Sequence, residues 1–148
     1  MLKTPLLHPE LLDALGRIGH GSRVLLADGN FPHETATCPD ARTVYLNLAP
    51  GVLGVTDVLA PLLQAIPVEA AAVMQPATEG PYAMDGDPPI FAEFTRMLDP
   101  HGVSELQRLD RFAFYDACRL PDVGLVIATG EQRIYANLLL TLGVVKPD

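Results

Sequence analysis

The chain of 148 residues is 49% apolar and 19% charged, which fits one domain of ordinary size and excludes an intrinsically disordered chain. Eighteen acidic residues against ten basic ones leave a net charge of -8. That balance supplies neither the basic face by which proteins bind nucleic acid nor the basic cluster by which they bind membrane surfaces, so neither partner is expected.

Helical and strand-like patterns alternate along the chain. Leucines spaced for one helix face follow Pro9 and stop at Gly19-His20-Gly21, and the capping pair Thr56-Asp57 precedes a second helical pattern. Short apolar runs between turn-forming residues predict buried strands. In chain order the predicted elements are a helix over 9–18, strands over 24–27 and 43–48, a helix over 58–66, a strand over 68–74, a helix over 89–98, a strand over 106–109, a helix over 112–118, and strands over 123–129 and 135–142.

Two segments between these elements are rich in turn-forming residues. Residues 32–42 predict a loop, and residues 76–89, with four prolines and two glycines, predict an exposed loop and a candidate lid. Neither segment divides the chain. The alternation of elements therefore predicts an α/β fold, a single three-layer-like domain over residues 1–148 with a largely parallel sheet flanked by helices.

The cysteines and the N-terminus bear on the cellular compartment. Cys38 and Cys118 are far apart in the chain and form no CxxC motif. The N-terminus has no apolar stretch of signal-peptide length, and no segment approaches the ~20 apolar residues of a membrane span. We expect a soluble, cytoplasmic protein with reduced thiols and no membrane partner.

A first candidate pair for chemistry is His20 and Asp28. His20 stands between two glycines, which leave its imidazole accessible, and Asp28 directly follows an apolar strand. Ligands of α/β sheets gather at the carboxyl ends of strands, where Asp28 is expected. The alternatives are that His20 caps the C-terminus of its helix and that Asp28 forms the Asp-Gly turn.

A second candidate group is the segment Asp110-Arg111-Phe112-Ala113-Phe114-Tyr115. The guanidinium of Arg111 can hydrogen-bond hydroxyls while an aromatic ring packs against a sugar face. The alternative is an amphipathic helix start with Phe112 and Tyr115 in the core. In that case Arg111 would cap its helix or pair with Asp110 or Asp116.

A third candidate group is Thr129-Gly130-Glu131 followed by Tyr135-Ala136-Asn137. The turn follows the most strongly predicted strand, and Tyr135 and Asn137, two residues apart, would face the same side of a strand. Both side chains offer hydrogen-bond donors and acceptors. The alternative is an edge strand whose polar residues face water.

Several motifs are missing from the sequence. It has no GxGxxG or GxxxxGK[ST] phosphate cradle and no GxSxG nucleophile motif. No spacing pairs His20, His33 and Cys38 as a zinc site. We therefore expect chemistry by His and Asp without a cofactor and without a metal.

The three groups, in this order, resemble the RbsD/FucU family of sugar mutarotases and pyranases, and the resemblance covers nearly the whole chain. It is carried by MLKTPLLHPELLDALGRIGHG, LADGNFP, RFAFYDA and TGEQRIYANLLLTLGV. RFAFY is similar to the fucose branch of the family rather than to the ribose branch. Residues 76–89 depart most from the family, and we expect them to shape the choice of sugar.

The resemblance implies roles for six residues. His20 would be the proton donor, Asp28 would bind substrate, and Arg111 would be the arginine of the fucose branch. Tyr135-Ala136-Asn137 would be a ligand-binding segment, with Ala136 in place of the usual glycine. The resemblance also implies a homo-oligomer, often a ring-shaped decamer, with sites near subunit contacts.

The expected activity is interconversion of the α and β anomers of a free monosaccharide, L-fucose or a related sugar. Ring opening and closing move protons but oxidise nothing, so no cofactor is required, and an imidazole suits proton transfer near neutral pH. One alternative is a non-catalytic monosaccharide-binding or transport-accessory protein. Another is a metal-dependent enzyme using His20, His33 and Cys38.

Overall fold

The structure is a computed structural model that describes residues 1–147, so the last residue of the predicted domain, Asp148, lies outside the described residues. It contains helices and strands in alternation, with one 3₁₀ turn at Asp99–His101. In chain order the elements are α1 (Pro9–Leu15), β1 (Arg23–Ala27), β2 (Arg42–Tyr45), α2 (Val55–Leu63), β3 (Val68–Met74), α3 (Pro89–Leu98), β4 (Gln107–Leu109), α4 (Arg111–Cys118), β5 (Val123–Ala128) and β6 (Leu138–Leu142). Among residues 1–147, no helix combines the length and apolarity needed to cross a bilayer.

The six strands form one sheet in the order β2-β5-β1-β6-β3-β4. β2, β5 and β1 pair in parallel, as do β3 and β4. β6 lies between β1 and β3 and pairs antiparallel with both. Five strands therefore point one way, and the predicted α/β fold with a largely parallel sheet is confirmed.

Both faces of the central strands β1, β5 and β6 are buried, and these strands are largely apolar, whereas the edge strands β2 and β4 are mostly exposed or half-buried. In β1, Val24 and Leu26 pack into a core with α1, α2 and α3, whereas Leu25 and Ala27 pack into a second core with α4. The loop between β1 and β2 completes the second core with Phe31. The predicted three-layer arrangement follows from this division.

Element boundaries differ from the predictions by three residues at the end of α1, at the end of β2, at both ends of α2 and at the start of β6, and by one residue at several other ends. α1 ends at Leu15 rather than at residue 18, because Gly16 caps it. α2 begins three residues early, because Gly54 is its N-cap and the carboxylate of Asp57, inside the first turn, accepts a hydrogen bond from the Gly54 N–H. β6 begins at Leu138 rather than at residue 135, because Tyr135 has a left-handed φ of 62° that a strand does not accommodate.

Candidate functional site

A cavity of about 430 Å³ opens where β1 and β3 end and β6 begins. Its volume lies in the range of small-molecule sites. Four of the predicted site residues line it, together with six that the sequence did not single out as ligands. The lining residues are Asp28, Asn30, Phe31, Met74, Tyr82, Arg111, Tyr115, Ile134, Tyr135 and Asn137.

Asp28 and Asn137 meet because β6 runs antiparallel to β1. The end of β1 then lies beside the start of β6, with Leu26 opposite Leu138. The Asn137 Oδ1 accepts from the Asp28 N–H at 2.8 Å, and the Asn137 Nδ2 donates to the Asp28 Oδ2 at 2.9 Å. Two bonds between two buried residues fix the Asp28 carboxylate at the cavity.

The Asp28 carboxylate is only 3% exposed, and burial raises its pKa above the usual range. The Asn30 N–H donates to its Oδ1 at 2.9 Å, and this bond and the one from Asn137 counteract the effect of burial on the pKa. The backbone N–H of Ala136, whose side chain is fully buried, acts in the same direction. A desolvated carboxylate at a cavity wall is a strong acceptor for a ligand hydroxyl.

Arg111 reaches the cavity from the first turn of α4. Asp110 caps this helix by accepting from the backbone N–H groups of Phe112 and Ala113, at 3.0 and 2.9 Å. Arg111 makes no ion pair with any residue in the range 1–147, and its guanidinium carbon lies 5.7 Å from the centre of the Tyr115 ring. Its hydrogen-bond donors are thus available to a ligand.

The aromatic residues of α4 are distributed differently from the alternative in which Phe112 and Tyr115 occupy the core. Phe112 is 77% exposed, and Phe114 is the fully buried residue. Tyr115 is half-buried and lines the cavity, and its hydroxyl has no hydrogen-bond partner within residues 1–147. This part of the helix therefore supplies both core and cavity.

Tyr135 lines the cavity without being in a strand. Its hydroxyl donates to the Tyr82 carbonyl at 2.8 Å and accepts from the Ala77 N–H at 3.1 Å. The prediction that Tyr135 and Asn137 share one side of a strand is wrong, because both precede β6. They reach the same cavity through the left-handed turn at Tyr135.

His20 lies at the opposite edge of the sheet from Asp28. Gly21 bonds Leu142 there, where β1 begins and β6 ends. The five residues of β1, at about 3.3 Å each, put roughly 17 Å between the two edges. Within one chain, His20 is not brought to the cavity.

The His20 side chain lies at the surface beside a carboxylate. Its side chain is 59% exposed, and its Nε2 lies 3.1 Å from the Glu69 Oε2 at the start of β3. The alternative that His20 caps α1 is wrong, because that helix ends several residues earlier with Gly16 as its C-cap. The carboxylate fixes the orientation of the imidazole and leaves much of the ring open to a partner.

The residues considered for zinc do not converge. The His33 Nε2 lies 3.1 Å from the Asp28 carbonyl oxygen, near the cavity, whereas His20 is at the other edge of the sheet. Cys38 is buried with its N–H bonded to the Cys118 carbonyl. Residues 1–147 contain no group of three or more His, Cys, Asp or Glu arranged to hold a metal.

Thr129-Gly130-Glu131 forms a structural turn beside the site. The Thr129 hydroxyl bonds the Ala27 carbonyl at 2.8 Å. Glu131 is buried and pairs with Arg133 at 2.8 Å, and this ion pair holds the pKa of Glu131 at about 2. None of these three residues lines the cavity.

The sequence reasoning did not identify Met74, Ile134 and Tyr82 as cavity residues. Met74 ends a predicted strand, so its position at the carboxyl edge of the sheet was an available signal. Ile134 and Tyr82 lie outside regular elements, and no periodicity marks them. Their place in the site depends on how the loops fold.

Comparisons with known proteins identify relatives over nearly the whole chain. A model of the RbsD / FucU transport protein family matches residues 1–145. Human fucose mutarotase is 34% identical over 144 residues, which are 94% of this chain and 90% of the human protein.

Two solved structures extend the comparison. The fucose mutarotase of Streptococcus pneumoniae in complex with L-fucose has a TM-score of 0.82 at 25% identity, covering 99% of this chain and all of that one. FucU from Bifidobacterium longum has a TM-score of 0.78 at 32% identity, covering 94% of this chain and 95% of that one.

Proposed function

The chain belongs to the RbsD/FucU family, and on that premise we propose that it is a monosaccharide mutarotase acting on L-fucose or a related sugar. The observation that carries this proposal is the cavity in which the Asp28–Asn137 pair and Arg111 offer an acceptor and donors to sugar hydroxyls. The proposed mutarotase domain is the whole chain, residues 1–148. Its proposed location is the cytoplasm.

The reaction is an isomerisation that balances without any other reactant. A proton reaches the ring oxygen, the bond from that oxygen to C1 breaks, and the C1 hydroxyl loses a proton to give an open-chain aldehyde. Rotation about the C1–C2 bond and the reverse steps close the ring on the other face. General acid–base catalysis contributes typically ~10²–10⁴-fold to such a reaction.

In this mechanism the predicted binding residues hold the sugar. The buried Asp28 carboxylate accepts from one hydroxyl, and Asn137 holds that carboxylate in place. Arg111 donates to further hydroxyls through its planar guanidinium. Ala136 contributes its backbone, because its side chain is fully buried.

Tyr115 is better placed than Tyr135 to move a proton. Both bonds of the Tyr135 hydroxyl are directed at the protein, to Tyr82 and Ala77. The Tyr115 hydroxyl is free of partners within residues 1–147, and the guanidiniums of Arg111 and Arg119 lie 5.7 and 5.9 Å from its ring centre. The unpartnered hydroxyl at the cavity wall supports a proton relay by Tyr115.

His20 acts as the proton donor of a neighbouring subunit's site. It is too far from its own cavity, it is exposed, and its imidazole is oriented by Glu69. A neighbouring copy can therefore receive this His20–Glu69 pair at the open side of its cavity. Without that contribution, the described chain brings no imidazole ring into the lining of the cavity.

A homo-oligomer is therefore part of the proposed function. Large apolar side chains exposed on the isolated chain support it, among them Leu48 at 84% and Val145 at 79%. A closed ring, of which the decamer is the form implied by the family resemblance, repeats one heterologous contact between neighbours. Each contact then completes one site.

Saturation-transfer NMR on free sugars tests the proposed function directly, since magnetisation exchange between anomer signals reports turnover. We expect wild-type protein to accelerate exchange of L-fucose anomers. His20→Ala should remove most of this exchange and leave sugar binding within about tenfold, because acid catalysis stabilises the transition state rather than the ground state.

The matched control is His101→Ala, which removes another exposed histidine from the 3₁₀ turn. Its exchange rate should equal that of wild type. Binding of sugar by wild-type protein without any acceleration of exchange would contradict the mutarotase proposal. Unchanged exchange in His20→Ala would remove His20 from the mechanism.

A further inference from the structure

Tyr82 forms part of the cavity wall although it belongs to the loop between β3 and α3. Its side chain is 62% exposed in the chain and lines the same cavity as Asp28 and Arg111. A large exposed aromatic ring at a ligand cavity is a recognition surface, because a bound ligand buries the apolar area of the ring.

The loop is held in a defined shape by its own backbone. The Met84 N–H bonds the Ala77 carbonyl at 3.1 Å, and the Ala83 N–H bonds the Gly80 carbonyl at 3.2 Å. The ion pair of Asp87 with Arg108 anchors its C-terminal end. Tyr82 therefore lies on a hydrogen-bonded turn rather than on an unstructured loop.

The side chain of Tyr135 connects this turn to the cavity. The Tyr135 hydroxyl bonds both the Ala77 N–H, at the start of the turn, and the Tyr82 carbonyl, near its tip. Tyr135 adopts a left-handed φ of 62°, a conformation that is unfavourable for a non-glycine residue. The two hydrogen bonds of the Tyr135 hydroxyl maintain this conformation and hold the side chain against the loop.

The cavity lining contains polar residues and aromatic residues that suit different parts of a sugar. Asp28, Arg111 and Asn137 supply the polar groups that match sugar hydroxyls. Tyr82 belongs to the apolar part of the lining, and its own hydroxyl has no partner within residues 1–147. An aromatic ring in such a position packs against C–H groups and methyl groups, not against hydroxyls.

On the basis of the proposed function, we infer that Tyr82 is a specificity-determining residue that packs against the methyl group of a 6-deoxy sugar, and that Tyr135 positions it. The loop thereby selects the substituent at C5, whereas Asp28 and Arg111 select the ring hydroxyls. Tyr135 acts through Tyr82 and not on the reacting atoms.

Three sugars isolate the C5 substituent. L-fucose, L-galactose and D-arabinose share the same ring hydroxyl configuration and carry at C5 a methyl group, a hydroxymethyl group and a hydrogen. Anomer exchange and binding are measured for each by NMR on the assembled protein. The readout is the ratio of kcat/KM, and of dissociation constants, between L-fucose and D-arabinose.

Tyr82→Ala should lower this ratio about fourfold, the effect of one buried methyl group, through KM rather than kcat. D-arabinose should change less than twofold, because it has no methyl group to lose. Tyr82→Phe should keep the wild-type ratio, since the ring remains. Glu79→Ala, on the same loop and outside the cavity, is the matched control and should also keep it.

Tyr135→Phe tests the positioning role, because it keeps the ring and removes only the hydroxyl that holds the loop. It should lower the ratio toward that of Tyr82→Ala. The double variant Tyr82→Ala/Tyr135→Phe should have a ratio no lower than that of Tyr82→Ala alone, because the effects of substitutions at residues that act through one another are not additive.

The outcomes separate the inference from the proposed function. If wild-type protein binds the sugars without exchanging their anomers, the mutarotase proposal fails, and the ratio of dissociation constants still decides the role of Tyr82. An unchanged ratio in Tyr82→Ala, or an equal loss for all three sugars, would overturn the inference. An unchanged ratio in Tyr135→Phe would overturn the positioning role, and absence of both binding and exchange would overturn everything proposed for this cavity.

Discussion

Arg111 is a proposed binding residue that lines the cavity and has no ion-pair partner among residues 1–147. The two acids that could have paired with it are otherwise engaged: Asp110 caps α4, and Asp116 lies 3.6 Å from Arg119. The interpretation of Arg111 as a structural ion-pair residue is therefore unsupported by the described residues. Its guanidinium is presented to the cavity beside Tyr115.

Arg111→Lys keeps the charge and removes the planar pair of donors. We expect the half-saturating concentration for L-fucose to rise about tenfold or more, since a hydrogen bond from a charged group contributes ~1.5–3 kcal/mol. A sugar whose hydroxyls lie differently should be affected less. NMR exchange rates measured at several sugar concentrations provide the values.

Sizing chromatography and thermal unfolding of the same variant provide the control. If Arg111 instead holds a subunit contact, the lysine variant would form a smaller particle or melt earlier, and all sugars would lose equally. That combination of results would show that Arg111 stabilises a subunit contact rather than binding the sugar.

At the scale of elements, the turn between β5 and β6 joins three parts of the fold. The buried Glu131 accepts from the Val55 N–H at 3.2 Å, at the N-terminus of α2, and pairs with Arg133 at 2.8 Å. Arg133 also bonds Glu93 in α3 at 3.0 Å. The neighbouring Gly130 permits close packing, because a Cβ there would lie 2.4 Å from the Val52 carbonyl oxygen.

This turn predicts acid sensitivity. The Arg133 guanidinium holds the pKa of Glu131 at about 2, against an ordinary value of 4.5. Because the folded pKa is depressed, the contribution to stability is complete above pH 4.5 and is lost as the pH falls toward 2.

Glu131→Gln should therefore destabilise the protein at pH 7 and flatten the fall in stability below pH 4.5. Chemical denaturation across a pH series measures both effects. Glu105→Gln, at an exposed position, is the control and should retain the wild-type profile. A wild-type-like pH profile in Glu131→Gln would contradict the assigned role.

The fold was largely predictable because its central strands are buried on both faces. Apolar runs such as 68–74 and 123–129 mark strands without any knowledge of their partners, and both match observed strands closely. The start of α2 was harder to predict, since its N-cap is a glycine assisted from within the helix by Asp57. The left-handed Tyr135 has no sequence signal of its own.

Four of the residues that line the candidate cavity were predicted from the sequence, but their arrangement was not. Asp28 at the end of β1 followed from the rule for parallel sheets. Asn137 joins it only because β6 is antiparallel; a parallel β6 would begin at the opposite edge, near His20. Strand direction is decided by the connections and by the packing of the whole sheet, which local patterns do not contain.

At the scale of the whole molecule, the proposed site needs more than one chain. The cavity lies at one edge of the sheet and His20 at the other, separated by the length of β1. A repeating head-to-tail contact, in which one subunit's His20 edge meets the next subunit's cavity, completes every site of a closed ring. In the proposed mechanism the chemistry therefore requires the oligomer.

This arrangement predicts that two inactive variants restore each other. His20→Ala lacks the proton donor and Asp28→Asn lacks the carboxylate, so each homo-oligomer should be nearly inactive. In mixed oligomers, some contacts join an intact His20 to an intact Asp28 cavity. Random mixing in equal amounts should restore about a quarter of the wild-type sites.

Co-expression with two different affinity tags and purification through both isolates the mixed oligomers, and NMR exchange of L-fucose anomers measures their activity. The control pairs His20→Ala with a His20→Ala/Asp28→Asn double variant, in which no chain supplies the imidazole and no activity should return. If the first mixture stays as inactive as this control while its size matches wild type, His20 and Asp28 do not serve one shared site. The proton donor would then have to be sought among groups of the cavity itself, where Tyr115 has the free hydroxyl.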